Sequence, residues 1–132
     1  GLEVKLYTFV DSNDIISVAT QASTECDVIY TPTDNQVASN AEAINNVLEP
    51  AGIPLVAGDT GTCEKAGIAV LGIDYYDIGF VAGEMAYEIL VNGADAATME
   101  IKTAAEVSKM YVPERCELLG IEVPEGYASI SE

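Results

Sequence analysis

Two rhythms of apolar residues alternate along this chain. Short runs of aliphatic and β-branched residues are followed by longer stretches in which apolar side chains return every three or four positions, the signatures of strands and amphipathic helices respectively. Leu2 to Phe9 predicts a first strand, and Asp14 to Ala22 a helix opened by Ser12 or Asn13. Cys26 to Tyr30 supplies a second strand, centred on Asp27 to Tyr30, that stops at Pro32 for want of an N–H. Asn35 to Leu48 is expected as one helix with Val37, Ala41, Ile44 and Leu48 on one face. Ile53 to Ala57 and Ile68 to Ile73 read as further strands, Tyr75 to Leu90 as a third helix, Ala94 to Ala97 as a loop and Glu106 to Val112 as a returning strand. Pro113 to Leu119 reads as a short helix with proline at its first position and Gly120 as its stop. Such alternation implies right-handed βαβ units, hence an α/β fold built on a parallel sheet.

The third helix carries more apolar surface than one packing face needs. Ile78, Val81, Ala82, Met85 and Ile89 form the expected stripe towards the sheet, while Phe80, Tyr87 and Val91 form a second. Mainly Glu84 and Glu88 remain for water. A helix apolar around most of its circumference is usually covered on more than one side.

Candidate chemistry gathers at the strand ends. The second strand delivers Thr33, Asp34 and Asn35 to a helix start, the third ends in Gly58, Asp59 and Thr60, and the fourth in Asp74, Tyr75 and Tyr76. The carboxyl edge of a parallel sheet is where open α/β folds bind small ligands, because it leaves a crevice lined by helix N-termini with unpaired N–H donors. A plain N-cap would also account for Asp34.

These residues resemble a family. Val28 through Asn35, then Ile53 through Thr60, then Gly67 through Gly79, in that order and spacing, look like the second lobe of ABC-transporter substrate-binding proteins. The similarity lies with the branch of type I periplasmic-binding-protein folds whose members include carriers of aromatic amino acids, and it extends from about Leu2 to about Val123. It implies that residues 1–132 are a single lobe, a three-layer parallel sheet with helices on both faces, excised from a longer exported protein. It also implies that the helix at 75–92 crosses a hinge and packs on the first lobe, so that the chain alone would expose it and form a homodimer through it. The start of the chain carries no basic region, apolar signal segment or lipid-anchor cysteine. The location implied for the whole protein is extracellular or periplasmic, anchored as a lipoprotein, with an ABC permease as partner.

The ligand implied is an amino acid, an aromatic one included, bound without chemistry. Its carboxylate would suit the helix start after Asp34, reinforced by the Thr33 hydroxyl and the Asn35 amide, and its ammonium would need Asp59 or Asp74. Tyr75 or Tyr30 would pack on its side chain. The polar set alone would equally suit a sugar or a nucleoside.

Charge and composition narrow the classes. Twenty-two acidic residues against five basic ones leave a net charge of −17. Lys5, Lys65, Lys102, Lys109 and Arg115 are scattered, so neither nucleic acid nor an anionic membrane surface is an expected partner. The chain has no histidine, which rules out the usual nucleophilic triad, and no phosphate-cradling glycine loop. Its three cysteines (Cys26, Cys63, Cys116) lack zinc spacing, and calcium-loop spacing is absent too, so no metal or cofactor is expected. The odd count excludes complete internal pairing, and free thiols suggest a reducing or anaerobic habitat. Cys26 reads as a small core residue, and Cys63 lacks the neighbouring base a nucleophile needs. Mean hydropathy is +0.23, yet no run approaches the ~20 apolar residues of a membrane span. Other readings are the effector-binding lobe of a transcriptional regulator, an enzyme of unknown reaction, and a receiver-like signalling domain. The last wants an acidic pair at the first strand and a lysine ending the last.

Overall fold

The computed structural model describes residues 1–104 and 106–130. One sheet takes its strands in sequence order: β1 (Ile29–Thr31), β2 (Leu55–Ala57), β3 (Ala69–Ile73), β4 (Val107–Tyr111) and β5 (Ala128–Ser129). The pairs β1–β2, β2–β3 and β4–β5 are parallel, as the strand–helix alternation requires. Helices α1 (Ser12–Glu25), α2 (Asn35–Ser39), α3 (Ala41–Ala51), α4 (Thr60–Ala66), α5 (Tyr75–Leu90) and α6 (Pro113–Leu119) complete an α/β protein. The chain divides into two compact units, Gly1–Gly72 with Lys109–Glu132, and Ile73–Ser108.

In the first unit, α1 packs on α3, α3 on α4, and α4 on β2. Leu48 of α3, Leu55 of β2 and Val70 of β3 are fully buried and join Ile15, Val37 and Ile44 in one core. Burying a side chain of that size contributes roughly 1.5–3 kcal/mol, which outweighs the weak propensity of three-residue strands. The register sets Ile29 against Leu55 and Thr31 against Ala57. The carboxyl ends of β1 and β2 are therefore level, and the loops that leave them are neighbours.

Several elements differ from the sequence reading. Leu2 to Phe9 forms no strand: Leu2, Val4 and Leu6 are exposed, while Phe9 packs against the core. Lys5 and the Tyr7 hydroxyl (2.6 Å) instead fasten this segment to the Glu25 carboxylate at the end of α1. Alternation gives a segment a strand's two faces, but a strand also needs a neighbour for its N–H and C=O groups. α1 begins earlier than expected, because its cap is Asp11, whose Oδ1 accepts from Asn13 N at 2.8 Å. It also runs on to Glu25, since the hydroxyls of Ser17, Thr20, Ser23 and Thr24 bond back to carbonyls of the preceding turn and do not interrupt it. Cys26 is its half-buried C-cap residue, not a core strand position.

The single helix expected over Asn35 to Leu48 is two. Asn40 leaves helical geometry (φ −111°, ψ 12°) and its side-chain amide bonds back to Gln36 O at 2.8 Å, ending α2 and opening α3 at Ala41. α3 then continues through Pro50 to a left-handed Gly52 (φ 70°). α4 and β5 have no counterpart in the sequence reading. α4 carries the sequence Thr60-Gly61-Thr62-Cys63-Glu64-Lys65-Ala66, without an apolar period; capping and tertiary contacts make it.

The second unit is organised by α5, which matches the predicted span. None of its residues is buried: Val81 and Met85 are half-buried, and Ile78 and Ile89 lie exposed alongside Phe80 and Tyr87. Neither apolar stripe is covered. Its end is secured by Ala94 N to Glu88 O (3.0 Å) and by the Asn92 amide to the Glu88 carboxylate (2.8 Å). No helix of the described residues is long and apolar enough to cross a membrane.

Candidate functional site

Each strand that ends at the carboxyl edge hands the chain to a helix through an aspartate. After β1, Asp34 is extended (φ −148°) and its Oδ1 accepts from Gln36 N at 2.8 Å and Val37 N at 3.0 Å. After β2, Asp59 takes Thr62 N on Oδ1 (2.8 Å) and the Thr62 hydroxyl on Oδ2 (2.7 Å), with Thr62 fully buried. The two carboxylates are therefore unequal. Asp59 uses both oxygens within its own helix, whereas Asp34 keeps Oδ2 without a partner among the described residues.

Gly58 locks the two loops together. A Cβ there would stand 2.6 Å from Thr33 N, 2.8 Å from Pro32 C and 2.9 Å from Thr31 O, so only glycine permits this approach of main chains. Across it, the Thr33 hydroxyl donates to Gly58 O at 3.0 Å. That proton is engaged, so Thr33 Oγ can offer a ligand only its lone pairs. The expectation that Thr33 would reinforce a bound carboxylate gives way: Thr33 and Asp34 together form an acceptor patch. Asn35 is exposed and Thr60 half-buried, with no bond from either side chain to another described residue. Thr33, Asp34, Asn35 and Thr60 thus leave the neighbouring loops after β1 and β2 carrying both acceptor and donor groups.

Two candidates belong to the second unit. Asp74 caps α5 through Oδ1, which accepts from Tyr76 N at 2.8 Å, and its Oδ2 has no partner among the described residues. Tyr75 is exposed.

The sequence reading missed Gly58, Thr62 and Arg115. The first has a signal, a glycine between a strand and a capping aspartate. Arg115 has none: it reaches the carbonyls of Cys63, Glu64 and Gly67, 51 residues from Glu64 along the chain. The best-formed hollows lie around Asn45, Ile53 and Leu119, and on α5, where Phe80, Gly83, Tyr87 and Lys102 line an open groove of about 540 Å³.

No cluster of metal-ligating side chains occurs among the described residues. Burial pushes the Cys63 thiol up to about 12 against the opposing pull of the Arg115 guanidinium, and burial raises Cys116 as well. At pH 8 a thiol of that pKa is ionised in about one molecule in ten thousand. Iodoacetamide should therefore modify half-buried Cys26 in the native protein and reach Cys63 only in denaturant, as peptide mass mapping would show. Native alkylation of Cys63 ahead of Cys26 would contradict this. The same shift makes the fold lose stability as pH rises from the ordinary thiol value of 9.0 towards about 12, because the unfolded chain ionises first.

Residues 1–129 match the family model described as ABC transporter substrate binding protein. The tyrosine-binding protein of Clostridioides difficile (strain R20291) is 35% identical over 80 residues, which cover 61% of this chain and 23% of that protein. A ligand-free, open substrate-binding protein with adhesive properties from Clostridium difficile superposes with a TM-score of 0.71 at 31% identity, covering 92% of this chain and 42% of that one. An ABC domain in complex with L-Trp from Streptococcus pneumonia reaches a TM-score of 0.86 at 26% identity, covering 98% of this chain and 45% of that one. The chain spans under a quarter of the curated relative and under half of these solved chains.

Proposed function

The chain belongs to the ABC transporter substrate-binding protein family, and on that footing we propose that it forms one lobe of a two-lobed clamp for an α-amino acid with an aromatic side chain. The complete protein would hand this ligand to an ABC permease, outside the cytoplasmic membrane and held there as a lipoprotein. It binds and releases its ligand without turnover. The observation that carries this reading is the polarity of the strand-end edge, with the acceptors Thr33 and Asp34 beside the donors Asn35 and Thr60. Relatives that bind tyrosine or carry L-Trp support the ligand class. The ammonium goes to Asp34 Oδ2 and Thr33 Oγ, and the carboxylate to the Asn35 amide and the Thr60 hydroxyl. Asp59 keeps its cap.

The bare apolar surface of α5 fits the same reading. Phe80, Tyr87 and Val91 are exposed to an extent that a lone domain rarely tolerates. In the complete protein the other lobe covers them, and in the chain alone a second copy does.

Half a clamp binds weakly, because the other half supplies polar contacts and the water-excluded surroundings that strengthen them. Calorimetry on the 132 residues with L-tyrosine or L-tryptophan should give a dissociation constant of about a millimolar, with light scattering showing a dimer. Sub-micromolar affinity, or the complete absence of binding by the two-lobed protein, would overturn the proposal.

A further inference from the structure

Arg115 stands on α6, away from the strand ends, yet its guanidinium grips the last turn of α4. Nη1 donates to Cys63 O and Gly67 O, both at 3.1 Å, and Nη2 to Glu64 O at 2.9 Å. Carbonyls at a helix end lack intrahelical partners and carry partial negative charge, which suits a cation with a planar fork of donors. The usual device is missing, since Gly67 is extended (φ −88°) instead of left-handed. With seven residues, α4 has too few internal bonds to hold its own position. Thr62, Cys63 and Ala66 bury one side of it against the core, and its two ends are held by Asp59 at one and Arg115 at the other.

The near end of α4 carries Thr60. Two residues before it, Gly58 lies so close to the main chain of Thr33 that a Cβ there would stand 2.6 Å from Thr33 N. A tilt of α4 therefore moves Thr60 and presses on the Thr33–Asp34 loop together. We propose that Arg115 is a positioning residue for ligand binding: it clamps α4 so that the Thr60 donor and the Thr33–Asp34 acceptors keep their spacing. This rests on the reading of that edge as half of an amino-acid site.

The test is the affinity of the complete two-lobed protein for L-tyrosine and L-tryptophan, well below its unfolding midpoint, with Arg115→Met, Arg115→Lys and Asp34→Asn compared. Arg115→Met should weaken binding about tenfold, the scale of one lost charge-assisted hydrogen bond, and Arg115→Lys should recover part of it, because a lysine restores the charge but not the fork. Wild-type affinity in Arg115→Met beside a weakened Asp34→Asn would leave the site standing and overturn the positioning role. Wild-type affinity in Asp34→Asn would overturn the site itself and the inference with it. Should Arg115→Met not fold, Arg115→Lys decides through amide exchange at Thr62: faster exchange with weaker binding supports the clamp, and unchanged exchange and binding reject it.

Discussion

Replacing Gly58 by alanine is expected to lower the stability of the first unit by about 2–3 kcal/mol, towards the upper end of the cost of forcing an extra methyl into a packed site. The atoms it would meet are Thr33 N, Pro32 C and Thr31 O, all main chain. A flexible side chain can rotate away from an added methyl group; these atoms move only if β1 shifts against β2. That shift would strain the pairing of Thr31 with Ala57 and part the Thr33 hydroxyl from Gly58 O. Stability and ligand affinity should fall together. Urea denaturation followed by circular dichroism would show a lower midpoint with an unchanged slope. A wild-type midpoint would mean that the two loops do not hold each other as described.

The strand ends were legible because local chemistry wrote them. An apolar run, a proline that stops the ladder and an aspartate before a helical stretch mark Asp34 without help from the rest of the fold, and it caps a helix where expected; Asp74, read as an acid for a ligand, caps α5 as well. The family match covers the same stretches. Failures came where distant residues decide. α4 is built by Asp59, by the buried Thr62 and by Arg115, and none of these follows from hydrophobic period. Leu2 to Phe9 has a strand's alternation but no neighbour to complete its ladder, and Asn40 divides a helix whose apolar face runs on unbroken. The sequence reading gives the cap to Asp34 and leaves Asp59 or Asp74 for an ammonium, and the cap at Asp59 is out of its reach because α4 shows no apolar period. The hydroxyl of Thr62, turned onto the second oxygen of Asp59, separates it from Asp34.

That difference sets the second large effect. Asparagine caps a helix nearly as well as aspartate, so Asp34→Asn should leave α2 in place and keep the bonds from Gln36 N and Val37 N. What it removes is the negative charge that, on the proposed reading, would face a ligand ammonium. A desolvated charge left without its partner costs a few kcal/mol, about a hundredfold in affinity. In Asp59→Asn the amide nitrogen meets the Thr62 hydroxyl, a change felt inside α4 and not by the ligand. It should cost about 1 kcal/mol of stability and leave binding nearly as it was. Calorimetric titration of L-tyrosine and L-tryptophan into the complete protein, with Asp34→Asn set against Asp59→Asn, is the most direct measurement of the strand-end edge as an amino-acid site. The account predicts about a hundredfold loss for Asp34→Asn and wild-type binding for Asp59→Asn; wild-type binding by Asp34→Asn, or the loss falling on Asp59→Asn instead, would contradict it.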